Sequence, residues 1–306
     1  MSFGARELAE SALFLILATL LGLLFLFTPL SSLVPLVLPA VYLVYSARHD
    51  LTSSAALLIS SAIIFFFLGG WLILALLLLA ALCGTAMGWV YQHKKDAWLA
   101  VSCGWILQMV LLAGGAFTWT ALGGANPVAA FSELLKESFS LSLTWLQEMT
   151  ELTPEEQEWI QQIPEQIVAL LPFFVILTTA LVTFTTHLLG GTILRRMGVS
   201  SPRLPAFRTW QLPKAFLFIY LAVIILYLFA GSNWLSPLEN VLLNLNSVLE
   251  VLFVVQGLSV IDHYSYRAGK KHLFTVLATI ALVIPPFTFL ALPALSLLGV
   301  VEAGFG

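Results

Sequence analysis

The sequence predicts an all-α, polytopic membrane protein: a bundle of about nine transmembrane helices, within eight to ten, with a cytoplasmic N-terminus. Composition carries the first part of that prediction. Of 306 residues, 60% are hydrophobic and 9% charged, and the mean hydropathy is +0.98, which belongs in lipid rather than in soluble domains. Next, the apolar residues fall into runs near the roughly 20 residues that a helix needs to cross a hydrocarbon core of ~30 Å. Finally, the net charge of only -3 conceals a sharp sorting of sign along the chain.

Taken in order, the first span runs from Ser11 to Phe27; it exceeds a secretory h-region and no A-x-A site follows, so it reads as uncleaved. Ser31 and Ser32 lead into a short second span, Leu33 to Tyr45, whose Pro35 and Pro39 call for a non-helical start. After the polar break SARHD come a third span, Leu51 to Leu68, and a fourth, Trp71 to Tyr91, joined at Gly69-Gly70 as a tight hairpin. QHKKD separates these from a fifth span, Trp98 to Leu122, with Gly104, Gln108 and Gly115 on one face.

Residues 126–165 form the one long hydrophilic segment. It holds eight acids (Glu133, Glu137, Glu148, Glu151, Glu155, Glu156, Glu158, Glu165) against one base, Lys136. Val128, Phe131, Leu135, Phe139 and Trp145 recur at helical spacing, which predicts an amphipathic helix on the outer membrane surface. Thr153-Pro-Glu-Glu156 starts a second helix with a capping box.

The sixth span, Ile167 to Leu189, carries Thr179, Thr183 and Thr186 on one face and His187 near its end. Residues 195–214 are a basic, proline-broken cytoplasmic loop. Span seven covers Ala215 to Ala230, the loop GSNWLS with Trp234 follows, and span eight runs from Leu238 to Val260. The basic turn HYSYRAGKK precedes a last run, Leu273 to Val301, that Pro285, Pro286 and Pro293 interrupt, so it is one kinked helix or a broken, re-entrant segment.

With nine spans starting inside, the cytoplasmic segments hold Arg6, Arg48, Lys94, Lys95, Arg195, Arg196, Arg203, Arg208, Lys214, Arg267, Lys270 and Lys271. That is twelve of the thirteen Lys and Arg, with Lys136 alone outside, as the positive-inside rule requires.

The eighth span poses the functional question. Glu250 falls near its midpoint, and steps of about 100° per residue put Glu239, Asn246, Glu250 and Gly257 on one strip, with Asn240, Asn244 and Ser247 beside it and Gln256 pointing elsewhere. A carboxylate at that depth costs several kcal/mol unless protonated, partnered or hydrated. Three readings stand: a neutral hydrogen-bonding group between helices, a ligand-contacting carboxylate, and a proton or cation relay. The candidate ligand-binding set is Glu250, Asn246, Ser247, Asn244, Thr179, Thr183 and Gln108, around a polar cavity between spans five, six and eight. Threonines in membrane helices also commonly bond their own backbone. Arg195, Arg196, Arg203 and Arg208 are candidates for contact with anionic lipid or a cytoplasmic partner, or serve as topological signals alone.

No H-E-x-x-H, G-x-S-x-G or P-loop occurs, so no catalytic residues, cofactor or metal ligands are assigned and the chain is not expected to be an enzyme. Cys83 and Cys103 lack metal-ligand spacing and read as small apolar groups. No nucleic-acid footprint is present.

Arg196-Met-Gly198, then Pro205-x-Phe207 and Trp210-x-Leu212-Pro213 leading into a span, and Gly257-Leu258 before a Tyr-rich basic turn, resemble the YybS-like family of bacterial membrane proteins. The resemblance implies a fold similar to the substrate-binding S-components of energy-coupling-factor (ECF) vitamin transporters, and no catalytic residues. S-components typically have about six helices, so the extra spans and the acidic segment depart from that pattern. The expected function is small-molecule binding for uptake in the bacterial inner membrane, without intrinsic ATPase activity, in the lipid bilayer and with an ATPase coupling module or other membrane protein as partner. The alternative is a scaffold or assembly factor that holds protein partners through its polar helix faces and basic loop.

The charge split yields a direct test of orientation. A reporter active only outside the cytoplasm should work when fused at Gly306 or inserted near Glu151, and should be silent within residues 195–214. Activity within that basic loop would invert the orientation.

Overall fold

The computed structural model describes residues 5–229 and 238–305; the termini and residues 230–237, including Trp234 and the end of span seven, lie outside the described residues. Eleven helices account for its regular structure, with no strand among the described residues: α1 (Ala5–Phe27), α2 (Val34–Ser46), α3 (Leu51–His93), α4 (Ala97–Ala121), α5 (Pro127–Met149), α6 (Pro154–Ala169), α7 (Leu171–Arg196), α8 (Lys214–Leu228), α9 (Glu239–Arg267), α10 (Leu273–Val283) and α11 (Phe287–Phe305), with short 3₁₀ turns at Pro29–Leu33 and Phe207–Thr209. Seven helical stretches are long and apolar enough to cross a membrane, α2 only when joined to the 3₁₀ turn before it as Pro29–Ser46. The reckoning differs from nine because α3 counts once, α8 has only 15 residues, or about 22 Å, and α10 has 11. Leu13, Ile16, Leu20, Phe117 and Leu290 point outward, as side chains facing lipid do.

The chain divides into two compact units, Met1–Pro127 with Val175–Leu204, and Val128–Phe174 with Pro205–Gly306. In the first unit, α3 doubles back at Gly69 and Gly70. A straight helix would hold Phe65 and Leu77 about 18 Å apart, yet both lie against Gly22 of α1. Gly70 has φ of +70°, a conformation that glycine adopts without a Cβ penalty.

Between α1 and the halves of α3 lies α2, with ten of its thirteen residues buried. The second half of α3 can approach it because Gly84 and Gly88 sit on the carbonyls of Pro39 and Leu43. Helices α4 and α7 complete the unit, with Gly104 of α4 facing Met87 and Thr183.

One end of this unit is tied by polar groups. Glu10 bonds Arg48 (3.2 Å) and His49 (3.1 Å), Glu7 accepts from Ser53 (2.7 Å), and the Ser11 and Tyr45 hydroxyls lie 2.6 Å apart. Asp50 caps α3 by accepting from the Ser53 amide, and the Ser53 hydroxyl first and this amide second hold its carboxyl below the usual carboxylate range. Tyr91 near the end of α3 meets His187 Nδ1 at 2.5 Å, which brings the end of α7 alongside. Arg48, Lys94, Lys95, Arg195 and Arg196 follow at this end, whereas the connections at Pro29–Leu33, Gly69-Gly70 and 122–126 carry no base.

In the second unit, α8, α10, α11 and the Phe207–Thr209 turn all pack on α9. Gly257 lies on the Leu295 carbonyl and Gly299 on the Phe253 carbonyl, so α9 and α11 cross backbone to backbone. The last apolar run is therefore two helices, broken at Pro285-Pro286 where backbone donors are missing. The sixth span also differs from expectation: Ile167–Ala169 belong to α6, and α7 starts at Leu171 with Pro172 in its first turn, where no N–H is needed. Likewise α9 continues to Arg267, through the residues read as a basic turn.

The acidic segment is helical as its periodicity indicated. Thr153 and Glu156 make the capping box, with the Thr153 backbone donating to Glu156 at 2.8 Å and holding that carboxyl below its ordinary range. Phe139 and Leu143 of α5 line a groove against Ile160 and Pro164 of α6, with Lys136 paired to Glu165 (3.3 Å) at its rim. Val128, Phe131 and Trp145 stay exposed.

The glycine approaches should be intolerant of a single methyl. Gly84→Ala and Gly257→Ala press a Cβ onto a neighbouring carbonyl, an overpacking expected to cost about 1–3 kcal/mol. Gly114 has open space around it, so Gly114→Ala should be neutral or gain up to ~1 kcal/mol. Thermal unfolding in detergent measures the difference, and equal effects at all three positions would contradict the packing described.

Candidate functional site

Helix α9 carries its polar residues into a setting where unpaired groups are costly, and most of them are paired. Asn244 is buried and fully used: its Oδ1 accepts from the Phe173 amide (2.8 Å), and its Nδ2 donates to the carbonyls of Ala169 (2.7 Å) and Asn240 (2.7 Å). It thereby caps the break between α6 and α7. Ser247 donates to the Leu243 carbonyl (2.9 Å), Gln256 accepts from the Leu212 amide (2.9 Å), and Ser259 donates to the Phe207 carbonyl (2.8 Å). Near the end of the helix the buried Asp262 accepts from Thr275 (2.9 Å) and pairs with His272 Nδ1 at 2.6 Å.

Two residues of the strip stand apart. Asn246 and Glu250, each partly exposed, have no side-chain hydrogen bond among the described residues. They lie four positions apart and so share a face. Glu250 is the twelfth residue of a 29-residue helix, about 16 Å from its start and near the middle of the apolar span read from Leu238 to Val260. Tyr220 of α8 packs its ring 4.9 Å from that of Phe253, which lies one turn along α9 from Glu250. A carboxylate, a carboxamide and an aromatic ring thus gather in one neighbourhood of the second unit. Such a set can hold a polar solute by accepting hydrogen bonds from it or by balancing its charge.

The other expected ligands belong to the first unit. Thr179 donates to the Val175 carbonyl (2.6 Å) and accepts from Trp105 Nε1 (3.1 Å), while Thr183 donates to the Thr179 carbonyl (2.8 Å). The threonines therefore serve their own helix and Trp105. Gln108 is buried with its Oε1 unpartnered. The candidate set is thus divided between two units: Asn244, Ser247, Thr179 and Thr183 are engaged within the protein, Asn246 and Glu250 are left available in the second unit, and the buried Gln108 Oε1 is left unpartnered in the first.

Among the four arginines, Arg195 bonds Ser201 (3.1 Å) and Thr192 (3.0 Å), and Arg208 lies 3.9 Å over the Tyr266 ring, so both brace the basic loop. Arg196 and Arg203 are exposed. Sequence reasoning passed over Tyr220, the Asp262–His272 pair and the Tyr91–His187 pair. An acid at position 262 beside a basic turn was a usable signal for the second; nothing in the sequence relates Tyr91 to His187, 96 positions away.

Comparison with known proteins agrees with the motif resemblance. The Bacillus subtilis (strain 168) protein named "Uncharacterized protein YybS" is 24% identical over 304 residues, covering 98% of this chain and 96% of its own length. No solved structure matches. A family model described as "Predicted membrane protein (DUF2232)" matches residues 16–301, nearly the whole length over which the helices are laid out. The chain belongs to the DUF2232 family of membrane proteins.

Proposed function

We propose that this multi-pass membrane protein binds a small polar solute at Glu250 and Asn246 and serves its uptake, in the manner of an S-component and without ATPase activity of its own. One observation carries the reading: α9 satisfies nearly every polar group it brings into the membrane and leaves a mid-depth carboxylate and the carboxamide one turn before it without a partner. The cost of such groups in hydrocarbon is several kcal/mol, and a bound solute or its accompanying water offsets it.

Further features support the assignment. The first unit holds six helical segments when the halves of α3 are counted separately, the number that the S-component resemblance implies. Each unit, taken by itself, gathers its Lys and Arg at one end, Lys136 of α5 being the exception in the second. In the second unit Arg208, Lys214, Arg267, Lys270 and Lys271 lie toward the end of α9, and the acidic α5 and α6 are fastened through Asn244 toward its start. This sorting suits an inner membrane with the bases in the cytoplasm and residues 126–165 outside. The chain has no nucleotide loop, so energy for uptake would come from a partner, for which Arg196 and Arg203 offer an exposed cytoplasmic surface.

Native mass spectrometry of gently purified protein tests the reading. The wild type should carry a small molecule at near-equal stoichiometry. Glu250→Gln should weaken its retention at least about tenfold, or ~1.4 kcal/mol, while leaving the unfolding temperature close to that of the wild type. A stoichiometric protein in place of a small molecule would transfer support to the scaffold alternative.

A further inference from the structure

Resting on the solute-binding reading above, the geometry points to the charge class of the solute: an organic cation bearing an ammonium or guanidinium group, held by Glu250 and Asn246 and capped by the Tyr220 ring. The second unit supplies no positive charge to Glu250 from within. Its spans contain no Lys or Arg away from their ends; the acids within them are Glu250, Asp262 and Glu302, and the one histidine, His263, lies beside Asp262 toward the end of α9. Asp262 has His272. Glu250 has neither an ion pair nor a hydrogen bond among the described residues, so the charge that complements it comes from outside the protein.

The approach to the site carries the same sign. Asn244 bonds the α6 carbonyl of Ala169 and the α7 amide of Phe173. This fastens the acidic hairpin of α5 and α6 to α9 six residues, or about 9 Å, before Glu250. The segment 126–165 holds eight acids, and its single base, Lys136, is paired with Glu165. A surface so charged raises the local concentration of cations and repels anions.

Among cations, the donor set favours an organic one. Calcium takes six to eight oxygen ligands, and among the described residues no group of three His, Cys, Asp or Glu side chains is placed to hold a metal ion. A carboxylate, a carboxamide oxygen and an aromatic face suit an ammonium or guanidinium group, which donates hydrogen bonds to the first two and rests on the third.

The test uses full-length protein in detergent and the small-molecule extract of bacterial cells, divided by ion exchange at neutral pH into cationic, neutral and anionic fractions. The cationic fraction should raise the unfolding temperature of the wild type by at least about 2 °C, the other two should not, and Glu250→Gln should abolish the rise. If Glu250→Gln does not fold, Tyr220→Leu should at least halve the rise; an undiminished rise overturns the proposal. Stabilisation by the neutral or anionic fraction, lost in Asn246→Ala and kept in Glu250→Gln, overturns the cation assignment and leaves the solute-binding reading standing. Stabilisation by no fraction overturns both.

Discussion

In hydrocarbon no water replaces a hydrogen bond that the protein fails to make, and this constraint sorts the polar side chains of α9 into two kinds. Ser247 is satisfied by its own helix, and Asn244, Gln256, Ser259 and Asp262 are paired with the structural joints of the second unit. The α6–α7 break, the lead-in to α8, the Phe207–Thr209 turn and the start of α10 all depend on a side chain from α9. Asn246 and Glu250 bind nothing within the described residues. Asp262 keeps one carboxylate oxygen, Oδ2, buried without a partner while Oδ1 is used twice; Asn246 and Glu250 are unpaired altogether among the described residues, and such residues are where function is to be sought.

Close backbone approach is the second organising feature. Polar bonds can bridge α9 to its neighbours because Gly257 and Gly299 let α9 and α11 cross at carbonyl distance, and Gly84 and Gly88 do the same between α3 and α2. Lipid tails are as apolar as leucine, so burying leucine drives little association here; packing and hydrogen bonds must do it. Small residues at the crossings therefore set how tightly the units close.

Much of this was legible in the sequence. Hydropathy located the helices, the Gly69-Gly70 pair located the reversal in α3, and Thr153-Pro-Glu-Glu156 located the start of α6 to the residue. The boundaries that moved were those where apolar residues run across a break: Ile167–Ala169 look like membrane span but end α6, and His263–Arg267 look like a turn but end α9. The site was half legible. The wheel placed Glu250 and Asn246 on one face, and it could not show that Asn244, almost adjacent, is consumed by Ala169 and Phe173, because those partners lie more than seventy positions away. Tyr220 was invisible because nothing in the sequence sets the register of α8 on α9.

Glu250 as a solute-binding carboxylate is the claim on which the functional reading turns, and direct visualisation tests it most plainly. An experimental density map of the protein purified in native lipid should show an ordered, non-protein feature bridging the Glu250 carboxylate and the Asn246 carboxamide beside the Tyr220 ring. A map in which Glu250 packs against aliphatic side chains or faces acyl chains, with no enclosed space beside it, would contradict the claim.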